Sequence, residues 1–210
     1  MNKKKLMTTL GALSLAATVS IGGTVAYLTD QDAADNKFTV GKVEVDLEEP
    51  NWDEDEHQDL QAGESVEKDP QITNTGINDA YVYLEVQVPM ETVITASEDG
   101  TRENGGAAVK QELFTFAPNA NWTQISKTEA GNHMVYVYSY DKVLAAGETT
   151  NTLFDTMTFA NIIEGQIDEN EYIIPVEAFA IQTANTGDGS GNIPAEARTA
   201  YQKYVNQNNI

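Results

Sequence analysis

His57 and His133 are the only imidazoles in a chain of 210 residues, and no cysteine accompanies them. Neither histidine belongs to an H-E-x-x-H segment, the spacing that puts two zinc ligands on one helical face beside a general base. There is also no Gly-x-Ser-x-Gly elbow and no glycine loop with a lysine to cradle phosphate. The lack of cysteine removes thiol nucleophiles and thiolate metal sites. His133 adjoins a strand-like run, where a partly buried, hydrogen-bonded histidine is the ordinary outcome. We therefore assign no catalytic residue and no cofactor.

The densest cluster of oxygen ligands is Asp53, Glu54, Asp55, Glu56, His57, Gln58 and Asp59, with Glu48 and Glu49 upstream. Carboxylates at this density suit calcium, and Asp53, Asp55 and Asp59 are the candidate ligands. The spacing is not that of an EF-hand, which needs glycine at the sixth loop position and a closing glutamate. A solvated acidic loop is the competing reading and the favoured one, because charge runs are usually just hydrated.

Ahead of these residues stands a leader. Lys3, Lys4 and Lys5 form a positive start, residues 6–21 are uncharged and largely apolar, and Gly22, Gly23, Thr24, Val25 and Ala26 are a small-residue exit. That order is a secretory signal, with cleavage expected between Ala26 and Tyr27. The apolar run is shorter than the roughly 20 residues of a spanning helix and dissolves into Gly-Gly. The membrane is thus expected to hold the chain only through the uncleaved leader. Residues 1–26 carry three of the twelve basic residues and none of the thirty-three acidic ones, which leaves nine against thirty-three and a formal charge of −24. Such a field repels nucleic acid and anionic membranes and suits cationic partners. A cysteine-free exported chain points toward a Gram-positive bacterium rather than the disulfide-rich eukaryotic route.

The elements that must position any site are strands. Val43, Val45 and Leu47 alternate with Lys42, Glu44 and Asp46, the pattern of a half-buried strand. In residues 81–88, Val82, Leu84, Val86 and Val88 oppose Tyr81, Tyr83, Glu85 and Gln87, and Pro89 is expected to end that ladder. Val135 and Val137 alternate with Tyr136, Tyr138 and Tyr140, and residues 172–182 form a further β-branched and aromatic run. Leu60-Gln61-Ala62-Gly63-Glu64-Ser65 and Leu144-Ala145-Ala146-Gly147-Glu148-Thr149 read as equivalent corners, each a leucine and a glycine turn that hands the chain to a strand.

Residues 51–59 and 98–106 are polar loops, the second with an Asp99-Gly100 turn. Residues 187–191 read as a flexible linker, and Pro194 suits the first turn of a short helix that either docks through Ala197, Tyr201 and Tyr204 or stays mobile. The organisation expected is a signal (1–26), an extended segment (27–41), an all-β antiparallel sandwich (42–186), and a linker with a C-terminal helix (187–210). Short strands without alternating amphipathic helices favour that class over a parallel α/β sheet.

With those pieces in order, the chain resembles the TasA/camelysin family of exported Gram-positive proteins, which the signal peptidase SipW processes. The resemblance rests on residues 22–30 at the processing site, Asn36-Lys37-Phe38-Thr39-Val40-Gly41 running into residues 42–47, Leu60 to Gly63, Ile72-Thr73-Asn74-Thr75-Gly76, and Val176-Glu177-Ala178-Phe179-Ala180-Ile181-Gln182. It implies a jelly-roll sandwich, secretion to the matrix or cell surface, and fibres of the biofilm matrix. It also implies an assembly route in which the freed segment after Tyr27 adds as a strand to the next subunit, with Phe38 and Val40 as anchors. The partners would be further copies of the chain and related matrix proteins. The competing reading makes residues 38–47 the first strand of their own domain. Because the family includes camelysin, described as a metalloprotease, three functions rank in order: fibre subunit, binding module displaying Tyr81, Tyr83, Tyr136, Tyr138 and Tyr140, and surface protease.

Overall fold

The structure, a computed structural model, describes residues 43–52, 60–167 and 171–208, all of them within the unit Gly41–Ile210. The alternating run near residue 45 becomes β1 (Val45–Glu48), with Val45 and Leu47 against the core and Asp46 and Glu48 exposed. The short strands β2 (Ser65–Glu67) and β3 (Gln71–Asn74) follow. β4 (Ala80–Val93) is the longest strand and is buried on both faces along most of its length, which is why its sequence is apolar or aromatic almost throughout. Then come β5 (Val109–Glu112), β6 (Phe114–Phe116), β7 (Trp122–Ala130), β8 (His133–Tyr140), β9 (Thr156–Phe159), β10 (Val176–Gln182) and the helix α1 (Ile193–Asn208).

Among the described residues every strand pairing is antiparallel, as expected, and the strands fall into three sheets. The main sheet runs β10-β4-β8-β7, with β5 on the far end of β4; β1 pairs with β3, and β2-β9-β6 form the third sheet.

Pro89 does not end its ladder, contrary to expectation. β4 continues through it to Val93, with Pro89 opposite His133 and residues 90–93 paired to β5. Backbone direction explains this. Gln87 donates to the Pro175 carbonyl on the β10 side, and Met90 donates to Asn132 on the β8 side, so the missing N–H of Pro89 falls on the β10 side. There β10 has already ended, with Val176 opposite Val86. The ladder loses no bond, and the Pro89 carbonyl still accepts the Leu113 N–H at 2.8 Å.

The two glycine corners are equivalent. Gly63 and Gly147 have φ of +79° and +80°, the left-handed region that a type II turn requires at its third residue. In each, the glutamate amide bonds back three residues, Glu64 to Gln61 and Glu148 to Ala145. Each glutamate side chain also accepts the N–H of that same residue, at 2.8 Å and 3.2 Å. The Glu64 carbonyl then accepts from Phe159, and that of Glu148 from Asn74, so each corner starts a pairing as well as turning the chain.

Two apolar clusters sit on opposite faces of the main sheet. The larger includes Ile72, Val82, Leu84, Val86, Leu113, Phe154 and Met157. The smaller gathers Tyr81, Tyr83, Val137, Phe179 and Ile181 under Ala197, Ala200 and Tyr201 of α1. The helix is therefore docked. Asn192 starts it by accepting the Ala195 amide on its side chain at 3.1 Å, and Tyr83 donates to the Ala197 carbonyl at 2.8 Å.

Candidate functional site

The two outer strands of the main sheet differ in how their free flanks are treated. β7 has a register shift between Gln124 and Ser126, a bulge of the kind that twists an edge away from further pairing. Arg198 of α1 reaches over that point and donates to the carbonyls of Gln124 and Ile125, both at 3.3 Å. Farther along, Lys127 bonds Glu112 at 2.9 Å and lies over the Tyr136 ring, while Glu129 pairs with Lys110. Charges, a bulge and a helix side chain all work against strand addition here.

β10 has no register shift along its pairing with β4, and Glu177 is its single charge. Its alternation can be read from its ends: Pro175 accepts from Gln87, and Thr183 donates to Asp79. Glu177, Phe179 and Ile181 therefore bond to β4, while the backbone groups of Val176, Ala178, Ala180 and Gln182 point away from it. Among the described residues no strand takes them up. β1 lies alongside β10 without a ladder between them. On β1, the Glu44 carbonyl accepts from Thr75 and Gly76, so Asp46 and Glu48 bond toward β3 and the backbones of Val45 and Leu47 face outward. Among the described residues neither of these two edges enters a further ladder. Their core-facing side chains are apolar: Val176, Ala178 and Ala180, with Val45 and Leu47, lie against the larger core cluster.

The residues singled out in the sequence are distributed as follows. Ala26, Tyr27, Phe38, Val40, Asp53, Asp55, His57 and Asp59 lie outside the described residues. The ends of the acidic loop are anchored. Lys68, 5% exposed, stands 2.8 Å and 2.9 Å from the two Glu49 oxygens and 4.3 Å from the centre of the Trp52 ring. Asp69 accepts both the backbone and side-chain N–H of Asn51.

His133 opens β8 and lines a shallow cleft of about 440 Å³ with Glu91, Glu171, Tyr172, Ile173 and Pro175. Ile173 is 70% exposed there. Among the described residues no three His, Asp or Glu side chains are grouped so as to hold a metal ion, and among them no helix is long and apolar enough to cross a membrane.

The tyrosines do not form a display surface, which corrects the binding-module expectation. Tyr81 and Tyr83 are buried under α1, and Tyr138 and Tyr140 are buried on the opposite face, with Tyr136 packed beside them. Tyr81 donates to Glu196; burial first, then that bond and the carboxylate charge, push its pKa up to about 12. Burial raises Tyr83 as well, and pushes Tyr138 up to about 12. These phenols are packing groups with one polar tip each.

The open edge of β10 was missed in the sequence because strand content is local and neighbour count is not. The one available signal was the uncharged set Val176, Ala178 and Ala180 on the core-facing side of the run. No curated protein and no solved structure matches the chain. A family profile described as camelysin metallo-endopeptidase matches residues 1–165; β10 and α1 lie beyond that span, so the likeness drawn at residues 176–182 is not part of it. With more than half its length matched, and with both corners, the Ile72–Gly76 motif and the β1 motif inside the matched part, this chain belongs to the camelysin metallo-endopeptidase family.

Proposed function

We propose that the protein is an exported structural subunit that assembles into extracellular fibres of a biofilm matrix. On this reading the leader is removed between Ala26 and Tyr27, SipW or a peptidase like it performs the cut, and the three sheets form a jelly-roll-like sandwich. The freed segment 27–41 then adds as a strand to the next copy, anchored by Phe38 and Val40. The observation that carries the reading is the β10 edge at one flank of the main sheet, unpaired among the described residues, while the β7 edge at the opposite flank is blunted. A free row of backbone donors and acceptors is what a polymerising strand needs, and repeating the contact head to tail extends a filament.

Electron microscopy of the protein starting at Tyr27 tests this. Filaments are expected, and deletion of residues 27–37 should abolish them while circular dichroism stays unchanged. Filaments at an unchanged critical concentration after the deletion would overturn the reading. Mass spectrometry of culture supernatant should find Tyr27 at the N-terminus, and Ala26→Arg should block processing.

The family's description favours one other reading, a surface metallo-endopeptidase. The described residues do not fit such a metal centre: His133 has Glu91 and Glu171 in its cleft but no grouped set of three ligands, and no step is derived through a metal. A peptidase assay with and without chelator separates the readings. Chelator-sensitive activity that co-purifies with the protein and vanishes in the His57→Ala, His133→Ala double variant would establish the enzyme.

A further inference from the structure

Among the described residues the large apolar side chains left most exposed are Ile77, at 64%, and Ile173, at 70%. One exposed isoleucine calls for no explanation, but these two stand toward opposite ends of one strand. Ile77 lies in the loop that leads into β4 at Ala80. Ile173 lines the cleft formed with Pro89, Met90 and Glu91, toward the other end of the same strand. From Ala80 to Pro89, β4 covers about 30 Å at roughly 3.4 Å per residue.

We infer that Ile77 of one copy seats in the Ile173 cleft of the next, a head-to-tail contact between copies of this chain directed along β4; this inference rests on the fibre reading above. The cleft suits such an occupant. It has a volume of about 440 Å³, and Pro89, Tyr172, Ile173 and Pro175 give it apolar walls. A knob and a recess on different patches make a heterologous contact, which leaves one of each free on every pair and so repeats.

Charge complementarity points to the same partner. Lys142 is exposed beside the Ala80–Leu144 bridge, at the Ile77 end. Lys68, Lys110, Lys127, Arg198 and Lys203 are each held by a carboxylate or a backbone carbonyl. Lys142 has no such partner among the described residues. At the other end Glu91 and Glu171 line the cleft, and neither enters an ion pair among the described residues. A chain with thirty-three acidic and twelve basic residues repels its own copies over most of its surface. A free lysine near one isoleucine and two free glutamates beside the other make these two ends an exception.

The connection runs the same way. The Glu44 carbonyl accepts from Thr75 and Gly76, so the chain enters β1 beside the Ile77 loop, and the segment 27–41 joins the subunit at the end that carries the knob. A copy that reaches forward with that segment also presents Ile77 to the neighbour it reaches. One isoleucine and an ion pair fall short of the roughly 1,000 Å² that a stable interface needs. The contact therefore aligns copies that the segment joins, and does not hold them by itself.

The absence of cysteine makes the test clean, since any disulfide comes from introduced residues. Ile77→Cys and Ile173→Cys are made in separate preparations of the chain starting at Tyr27, mixed, and mildly oxidised during assembly. A disulfide-linked heterodimer about tenfold above either homodimer is expected. Tyr204→Cys in place of Ile173→Cys, at another exposed position, should give no such excess.

A second arm changes the contact itself. Ile77→Asp should raise the critical concentration for filaments about tenfold or more, with the melting temperature unchanged. Lys142→Glu should raise it about threefold, and Glu91→Lys added to that same chain should restore it. Absence of a heterodimer excess, or unchanged critical concentrations in both Ile77→Asp and Lys142→Glu, would overturn the contact and leave the fibre reading standing as long as the wild type forms filaments. A wild type that forms none would remove both.

Discussion

β7 and β10 flank the same sheet, yet one is blunted against further pairing and the other, among the described residues, is open. β7 carries its irregularity and its charges in its own strand, and it borrows Arg198 from a helix about seventy residues away in sequence. β10 is regular along all seven residues, from Val176 opposite Val86 to Gln182 opposite Ala80. Its two faces are covered, one by the larger core and the other by α1, whose Tyr204 stacks on Phe179 and whose Tyr201 meets the same ring at a tilt. The difference teaches that hiding a strand's side chains and hiding its backbone are separate tasks. In this fold β10 has the first without the second.

The largest expected effect comes from exchanging inward for outward positions on β10. Phe179→Pro removes a donor that bonds to β4 and the ring that stacks on Tyr83 at 5.0 Å. Loss of the ring alone should cost about 3–5 kcal/mol, and urea denaturation should show it. Ala180→Pro, one residue on, should change stability by about 1 kcal/mol or less, because its N–H has no partner among the described residues. Equal losses in the two variants would mean that the outer flank of β10 is bonded after all.

Alkali should loosen the face that α1 covers. Tyr81 is raised to about 12 by burial and by Glu196, and Tyr83 and Tyr201 are raised by burial. In the unfolded chain these phenols titrate near 10. The folded state thus keeps protons that the unfolded state releases, so stability is full below about pH 10 and falls as pH rises toward about 12. Tyrosinate absorbance should lag behind that of free tyrosine and then rise together with loss of near-ultraviolet circular dichroism. Titration of these phenols at pH 10 with no structural change would show that the helix does not seal them.

A smaller effect is expected at Gly187. A β-carbon there would lie 2.7 Å and 2.9 Å from atoms of Glu196, the residue that holds Tyr81 and accepts the Gly191 amide. Gly187→Ala should therefore shift α1 and cost about 1–3 kcal/mol. Because α1 touches both β10 and β7, the variant should also release Arg198, and hydrogen exchange should rise at Gln124 and Ile125.

The smallest effect belongs to Arg198→Ala, expected within about 0.5 kcal/mol by thermal melting. It sharpens the comparison more than it tests stability. If the bulge is what blunts β7, a chain lacking residues 27–37 stays monomeric with Arg198→Ala, as light scattering would report. Association of that variant would show that the arginine had been guarding the edge.

The sequence alone determined several features whose cause is local. Period-two alternation marked β1, β4 and β8, since the two faces of a strand meet different surroundings. The Leu-x-Ala-Gly-Glu repeat marked two corners, because a positive φ asks for glycine and the glutamate three residues on can return to the turn. Pro194 and the small residues behind it marked the helix. Tertiary structure decided what depends on neighbours far along the chain. It made Pro89 harmless by ending β10 just short of the missing N–H, and it buried the tyrosines of β4 and β8 on opposite faces by laying α1 on one side and the larger core on the other. Among the described residues it also left β10 with one partner where β4 has three. Whether a strand's second edge is paired is set by what packs beside it, and no pattern within seven residues carries that information.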